Sequence, residues 1–236
     1  MIDSYLSFLE RFGSEFIVRL LEHIEIVLLA VAIAIPIGVG TGILIRYNDV
    51  AATVVLWLAG IAQTVPSLAL FGLLIPIVGI GYPPVVIALV MYAQLPIMRN
   101  TYIGLSEVPE ASNEVAAGIG MTPFQRLRRV QLPIALPVIM AGIRNATVIM
   151  VGIAAIGAFI GAGGLGQPIF RGIRLPDTQM IVVASILVAT LALVLDYLLG
   201  SLEQYFQLSN GEDVDPNVAL RFTRSTLTPL VQKLQP

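Results

Sequence analysis

Long apolar runs alternate with short polar segments along most of this chain. Five runs approach or exceed the roughly 20 apolar residues that a helix needs to cross a bilayer. They cover Ile24–Ile45, Ala51–Ile75, Pro84–Asn100, Ile134–Ile160 and Met180–Gly200. The third run is the shortest, and prolines bracket or kink it. The pattern predicts an all-α integral membrane protein with about five transmembrane helices.

Both ends of the chain are more polar than this middle part. In residues 1–22, aromatic and aliphatic side chains recur every four residues between charged ones, at Phe8, Phe12, Phe16 and Leu20. This spacing predicts an amphipathic helix on the membrane surface, although a solvated leader is the alternative. A transmembrane domain over residues 23–205 and a polar cytosolic tail over residues 206–236 complete the predicted organisation.

Composition supports the membrane assignment and narrows the function. Hydrophobic residues make up 57% of the 236 residues and charged residues only 12%, whereas soluble domains carry about 25% charged residues. A net charge of -2 argues against a nucleic-acid partner. The chain has no cysteine and a single histidine, so thiolate sites and the His-Glu-x-x-His zinc pattern are excluded. We therefore expect no catalytic, metal or cofactor site on this chain.

One charged segment separates two sets of apolar runs, in a predicted loop over residues 104–133. Glu110–Ala117 is predicted to be helical and to be interrupted by Gly118 and Gly120. A second short helix is expected to begin after Thr122, because Pro123 and Gln125 complete a capping box. Leu132-Pro133 is expected to end it.

The basic residues predict the orientation of the chain. With the N-terminus outside, the inner segments hold Arg46, Arg99, Arg126, Arg128, Arg129, Arg221, Arg224 and Lys233. The outer segments hold only Arg11, Arg19, Arg171 and Arg174. The positive-inside rule therefore favours an external N-terminus and a cytosolic C-terminus.

Several polar residues interrupt the apolar runs. Gln63, Thr64, Pro66 and Ser67 lie near the middle of the second run, as candidates for a translocation path or for helix packing, and both interpretations are open. Arg144 and Asp196 lie in the fourth and fifth runs, and we expect them to pair as a structural contact. Gly161–Gly166 matches a dinucleotide-binding pattern, but no strand precedes it, so a turn between packed helices is expected instead.

The charged segment resembles the Glu-Ala-Ala signature of bacterial ABC-importer permeases. Glu114-Val115-Ala116 is followed by Gly120, Val130 and Leu132-Pro133 at the spacing of that signature, with valine at two of its positions. The passage from Gln63 to Pro84 and those around Arg144 and Gly161 resemble one subgroup, the osmoprotectant permeases. The resemblance covers most of the chain, from about residue 22 to residue 200.

This resemblance implies a type I ABC importer permease fold in which the segment is a cytosolic coupling helix. The implied ATPase-coupling positions are Glu114, Ala116, Gly120, Leu132 and Pro133, to which we add the neighbouring Met121 and Thr122. The implied partners are ABC ATPase subunits that bind ATP and magnesium, a second permease chain and an extracytoplasmic binding protein. The implied location is the cytoplasmic membrane of a bacterium or archaeon.

The resemblance also implies the cargo, which is glycine betaine, choline, carnitine or a related quaternary amine. In this subgroup an aromatic cage on the binding protein selects such amines. A permease for methionine, another amino acid or a phosphonate is the alternative, because those families share the Glu-Ala-Ala signature. A secondary transporter is disfavoured because no acidic residue lies at the middle of a run.

Overall fold

A computed structural model describes residues 2–211, and every regular element in that range is helical. The α-helices are α1 (Ile2–Ile45), α2 (Asp49–Thr64), α3 (Ser67–Val78), α4 (Tyr82–Ser106), α5 (Glu110–Gly118), α6 (Pro123–Arg126), α7 (Leu132–Gly157), α8 (Gly166–Arg174) and α9 (Thr178–Ser209). A π-helical turn, Leu127–Gln131, joins α6 to α7. A 3-10 turn, Ala158–Ile160, follows α7.

Helix α4 lies at the centre of the bundle. It packs against α1, α2, α3 and α7, while α9 packs against α7 and α8. The largest core cluster draws its fully buried side chains mainly from α1, α4 and α7, including Ile26, Leu89 and Met150. The elements that flank α4 therefore share one apolar core.

The tightest packing of α4 and α7 occurs at Gly142. A Cβ atom added there would lie 2.6 Å from Asn100 Cβ and 2.7 Å from the Pro96 carbonyl oxygen. A contact that short is repulsive, so only glycine lets the two backbones approach this closely.

Three helical stretches in the described part of the chain are long and apolar enough to cross a membrane. They are Ser4–Ile45, Pro123–Ile160 and Thr178–Ser209. The predicted second span is broken into α2 and α3, which meet at an angle of 98°, and the pair would make a fourth span. The predicted third span falls within α4, whose 25 residues extend about 37 Å. The count of about five spans stays a prediction.

The N-terminal helix differs from the predicted arrangement. No break separates residues 2–22 from the first span, because α1 continues for 44 residues through Ile45. The aromatic stripe packs on protein, since Phe8 and Phe16 are buried against Leu165, Met180 and Ala184. The periodicity that predicted a membrane-surface helix is thus accounted for by contacts with the loop before α8 and with α9.

The predicted polar tail over residues 206–236 begins within a helix and stays a prediction. Helix α9 continues to Ser209, past the start of the predicted polar tail at residue 206. The rest of the tail, residues 212–236, lies outside the described residues.

We expect Gly142→Ala to lower the melting temperature of the purified permease by several degrees, because overpacking of this kind costs about 1–3 kcal/mol. Gly152→Ala is the matched control in the same helix, since a Cβ added at Gly152 meets no atom within 4 Å. Thermal unfolding in detergent, followed by size-exclusion chromatography, measures both. Equal melting temperatures for the two variants would contradict the assigned contact.

Candidate functional site

The polar segment between α4 and α7 folds into two short helices joined by a tight turn. Helix α5 ends at Gly118, where the sequence predicts an interruption. Gly120 has a φ of 81°, in the left-handed region that favours glycine. The Met121 amide donates to the Ala116 carbonyl oxygen at 3.0 Å and closes the turn. The chain therefore reverses sharply at the glycine of the signature.

The predicted capping box fixes the start of α6. The Gln125 amide donates to Thr122 Oγ1 at 3.3 Å. In return, the Thr122 amide donates to Gln125 Oε1 at 2.8 Å. Pro123 is the first residue of α6, where its missing N–H has no intrahelical partner to lose. The second arm of the segment thus has a defined direction.

Large apolar side chains are exposed on this otherwise polar segment. Val115 is 67% exposed, and Ile119 and Phe124 are each 69% exposed. A Cβ added at Gly120 would meet nothing within 4 Å, so the turn between them is open on its outer side. Large exposed apolar side chains on a short polar segment are typical of a protein-docking surface. We call Val115, Ile119, Gly120 and Phe124 the docking knob.

The other predicted coupling positions lie around the docking knob or at the start of α7. Glu114 and Thr122 are exposed, Met121 is half-buried, and Ala116 is buried at 3% exposure. Leu132 is half-buried and Pro133 is exposed.

The structure corrects the expectation that Leu132-Pro133 ends the second short helix. The helical path continues from Pro123 to Ile160 as one unit. It accommodates Pro133 through the π-turn, in which the Leu132 amide donates to the Leu127 carbonyl oxygen five residues earlier. This wider turn relieves the clash that a proline ring makes with the preceding turn of a regular helix.

Sequence reasoning missed a contact between the two arms of the segment. Gln131 Nε2 donates to Asn113 Oδ1 at 2.7 Å, and Gln131 is only 8% exposed. A glutamine placed between Val130 and Leu132 was the available signal, but its partner lies 18 residues away. This bond ties α5 to the π-turn.

The candidate translocation residues lie at the bend between α2 and α3. Gln63 Nε2 donates to the Tyr92 carbonyl oxygen at 2.9 Å, and the Tyr92 hydroxyl donates back to the Val65 carbonyl oxygen. Each acceptor carbonyl lacks a helical amide partner. Pro96 has no N–H to donate to the Tyr92 carbonyl, and Val65 is the residue that follows the end of α2. Gln63 therefore makes a packing contact with α4.

The remaining residues of this group are not enclosed in the same way. Thr64 and Pro66 are exposed on the single chain, and Ser67 is half-buried at the start of α3. Thr64 borders an open groove of about 540 Å³ that also includes Trp57 and Arg99. These residues remain available to line a path.

Arg144 and Asp196 are in direct contact. The guanidinium Nε and Nη2 lie 2.6 and 2.8 Å from the two carboxylate oxygens of Asp196, which is a bidentate arrangement. The sequence analysis missed Glu203, whose carboxylate lies 3.4 Å from Nη1. The cluster links α7 to two positions on α9, Asp196 and Glu203, that lie about two turns apart.

A second missed cluster holds the glycine-rich turn after α7 against α1. Glu22 Oε2 accepts from the Gly164 amide at 2.9 Å, and His23 Nδ1 accepts from the Leu165 amide at 3.3 Å. His23 Nε2 lies 3.1 Å from the Val151 carbonyl oxygen, so Nε2 carries the proton of a neutral ring. His23 is fully buried. The turn expected at Gly161–Gly166 is present, and α1 holds it in place.

Comparison with known proteins decides what this arrangement is. The family described as "Binding-protein-dependent transport system inner membrane component" matches residues 34–207. The chain belongs to this family. It is 41% identical over 197 residues to the choline transport system permease protein OpuBB of Bacillus subtilis, covering 84% of this chain and 91% of that protein. It is 47% identical over 187 residues to the osmoprotectant import permease protein OsmW of Salmonella typhimurium, covering 77% of this chain and 87% of that protein.

Solved structures agree on the fold of this permease. The methionine ABC transporter MetNI, in an inward-facing form, matches with a TM-score of 0.75 at 22% identity, covering 84% of this chain and 98% of that one. An amino acid ABC transporter matches with a TM-score of 0.69 at 22% identity, covering 85% of this chain and 98% of that one. The type I ABC importer permease fold is confirmed, and the permease is a multi-pass inner-membrane protein.

We expect Arg144→Asp and Asp196→Arg, made singly, each to reduce the amount of folded permease several-fold, because each leaves like charges together within the bundle. The double variant restores an ion pair and should regain most of the yield. Fluorescence-detected size-exclusion chromatography measures the folded fraction. A double variant that yields no more than the poorer single variant would count against direct pairing.

Proposed function

We propose that this permease imports quaternary-amine osmoprotectants, such as glycine betaine, choline and carnitine. The observation that carries this proposal is the identity of 41% to a choline permease and 47% to an osmoprotectant permease, over 77–84% of this chain. The cargo would be handed over by a dedicated extracytoplasmic binding protein.

The docking knob would bind the ATPase subunit that drives transport. Its exposed apolar side chains suit a groove on an ABC ATPase subunit, which would bind ATP and magnesium and hydrolyse ATP. We propose that Glu114, Ala116, Gly120, Met121, Thr122, Leu132 and Pro133 serve this coupling. ATP-driven closure of two ATPase subunits would then move two docking knobs, one on each permease chain.

We propose an external N-terminus, which puts the docking knob in the cytosol. Arg126, Arg128 and Arg129 belong to the same polar segment as the knob, and Arg99 lies two turns before the end of α4. Arg171 pairs with Glu15 at the far end of the bundle, with nitrogen and oxygen 3.3 Å apart. The cationic end is the cytosolic one under the positive-inside rule.

A second permease chain, the same or a related one, would complete the translocation path. Thr64, Pro66 and Ser67 support this assignment, because they are polar or backbone-breaking and lie at the surface of the single chain. Gln63 would hold the bend between α2 and α3 against α4 through its bond to the Tyr92 carbonyl.

A methionine, amino acid or phosphonate cargo is the competing proposal. The likeness to methionine and amino acid transporters is at 22% identity and concerns the fold alone. The sequence relatives therefore favour the amines.

The deciding experiment reconstitutes the permease with its ATPase and binding protein in liposomes. We expect glycine betaine, choline or carnitine to stimulate ATP hydrolysis several-fold, and methionine and a phosphonate to leave it at the basal rate. Stimulation by methionine or the phosphonate alone would overturn the cargo. Absence of any ATPase subunit from the purified complex would overturn the coupling assignment.

Phe124→Asp should reduce the co-purifying ATPase at least tenfold, because it places a charge in the proposed apolar contact. Phe159→Asp is the matched control, since Phe159 is 66% exposed but lies beyond the opposite end of α7. Affinity purification through a tag on the permease, followed by quantification of the ATPase band, compares the two. Equal retention of the ATPase by both variants would contradict docking at the knob.

A further inference from the structure

Four consecutive residues at the start of α7 and just before it, Gln131–Ile134, form hydrogen bonds to two other helices. Gln131 Nε2 donates to Asn113 Oδ1 in α5 at 2.7 Å. Asn210 Nδ2, at the end of α9, donates to the carbonyl oxygens of Pro133 at 3.1 Å and Ile134 at 3.3 Å. We call Asn113, Gln131, Asn210 and the Pro133 carbonyl the amide junction.

Prolines explain why the acceptor in α7 is available. Pro137 has no N–H, so the carbonyl of Pro133, four residues earlier, has no partner within the helix. The Asn210 amide supplies the missing donor from another helix. The carbonyl of Pro133, the proline of the signature, thus gives α9 a hydrogen-bonded attachment to α7.

The π-turn explains how the other half of the junction is held. It ends at Gln131, which is buried, whereas Arg128 and Arg129 in the same turn are exposed. Single π-helical turns within α-helices are frequent at functional sites. Here the Gln131 side chain reaches α5.

Among the described helices, the docking knob has few packing contacts with the rest of the bundle. Helix α5 packs mainly against α6 and the π-turn. Beyond that turn, the helix continues without interruption through α7 to Ile160. A displacement of α5 must therefore pass through the π-turn or through the short connection from α4.

We propose that the amide junction transmits movement of the docking knob to α7 and α9 together, with Asn113, Gln131 and Asn210 as positioning residues. The Gln131–Asn113 bond makes α5 and α7 move as one unit. The Asn210 bonds carry the same displacement into α9, which Arg144 joins to α7 further along through Asp196 and Glu203. This inference rests on the proposed docking of an ATPase at the knob.

The test uses near-isosteric variants that remove the hydrogen bonds but keep the volume. Asn113→Leu, Gln131→Met and Asn210→Leu are each reconstituted with the ATPase and binding protein in liposomes. ATP hydrolysis and uptake of radiolabelled glycine betaine, or of choline if choline is the stimulating amine, are measured on the same vesicles. The ratio of ATP hydrolysed to amine imported is the readout, because a loss of folded protein lowers both rates and leaves the ratio unchanged.

We expect Asn113→Leu and Gln131→Met to keep the ATPase bound and at least half of its hydrolysis, while uptake falls at least fivefold. The ratio of ATP to amine then rises at least twofold. Asn210→Leu should raise the ratio in the same direction by a smaller factor. Gln207→Met, one turn earlier on α9 and more buried than the exposed Asn210, is the control and should leave the ratio unchanged.

An exchange of the two side chains separates this role from simple packing. Asn113→Gln combined with Gln131→Asn keeps the summed length of the pair and should restore the ratio to within twofold of the parent. If Gln131→Met gives no folded protein, Asn113→Leu decides the question, because Asn113 is only half-buried. An unchanged ratio in Asn113→Leu would overturn the junction, whereas loss of the bound ATPase would overturn the docking assignment on which it rests.

Discussion

In a helix that crosses a bilayer, a proline leaves the carbonyl four residues earlier without an amide partner, and no water is present to replace it. This permease meets that constraint with side-chain amides from other helices. Within the bundle, Gln63 donates to the Tyr92 carbonyl that Pro96 leaves free. At the exposed end, Asn210 donates to the Pro133 carbonyl that Pro137 leaves free. Both bonds join helices that are distant in sequence, in addition to the apolar contacts of the core.

The turn after α7 and the docking knob, at opposite ends of the molecule, differ in the contacts that they present. At one end, Glu22 and His23 hold the turn after α7 through backbone amides. At the other end, the docking knob leaves large apolar side chains uncovered, on a segment held in shape by its own capping box. One long helical path from Pro123 to Ile160 joins the hydrogen-bonded end to the end with exposed apolar side chains, as the proposed coupling to an ATPase requires.

Local chemistry was readable from the sequence, and non-local chemistry was not. The Thr122–Gln125 box joins residues three apart, and the interruption of α5 at Gly118 depends on the glycines themselves, so local spacing predicts both. Arg144 and Asp196 were paired because an isolated charge in an apolar run needs a partner. The continuity of α1, the 98° bend and the π-turn before Pro133 escaped prediction. The bend depends on a contact that is distant in sequence, since Gln63 bonds to Tyr92, 29 residues away. The π-turn lets the helix continue past Pro133, where a proline usually ends a helix.

The contact between His23 and Leu165 also bears on how the chain is assembled during synthesis. The two residues are 142 positions apart, and Val151, the other partner of His23, is also made long after α1. At about 5–20 residues per second, the ribosome needs about 7–28 s to make the intervening chain. During that interval a polar imidazole in the first apolar helix has none of its final partners. The polar contacts of α1 at His23 can therefore form only after α7 and the loop before α8 have been made, later than its apolar contacts with α4.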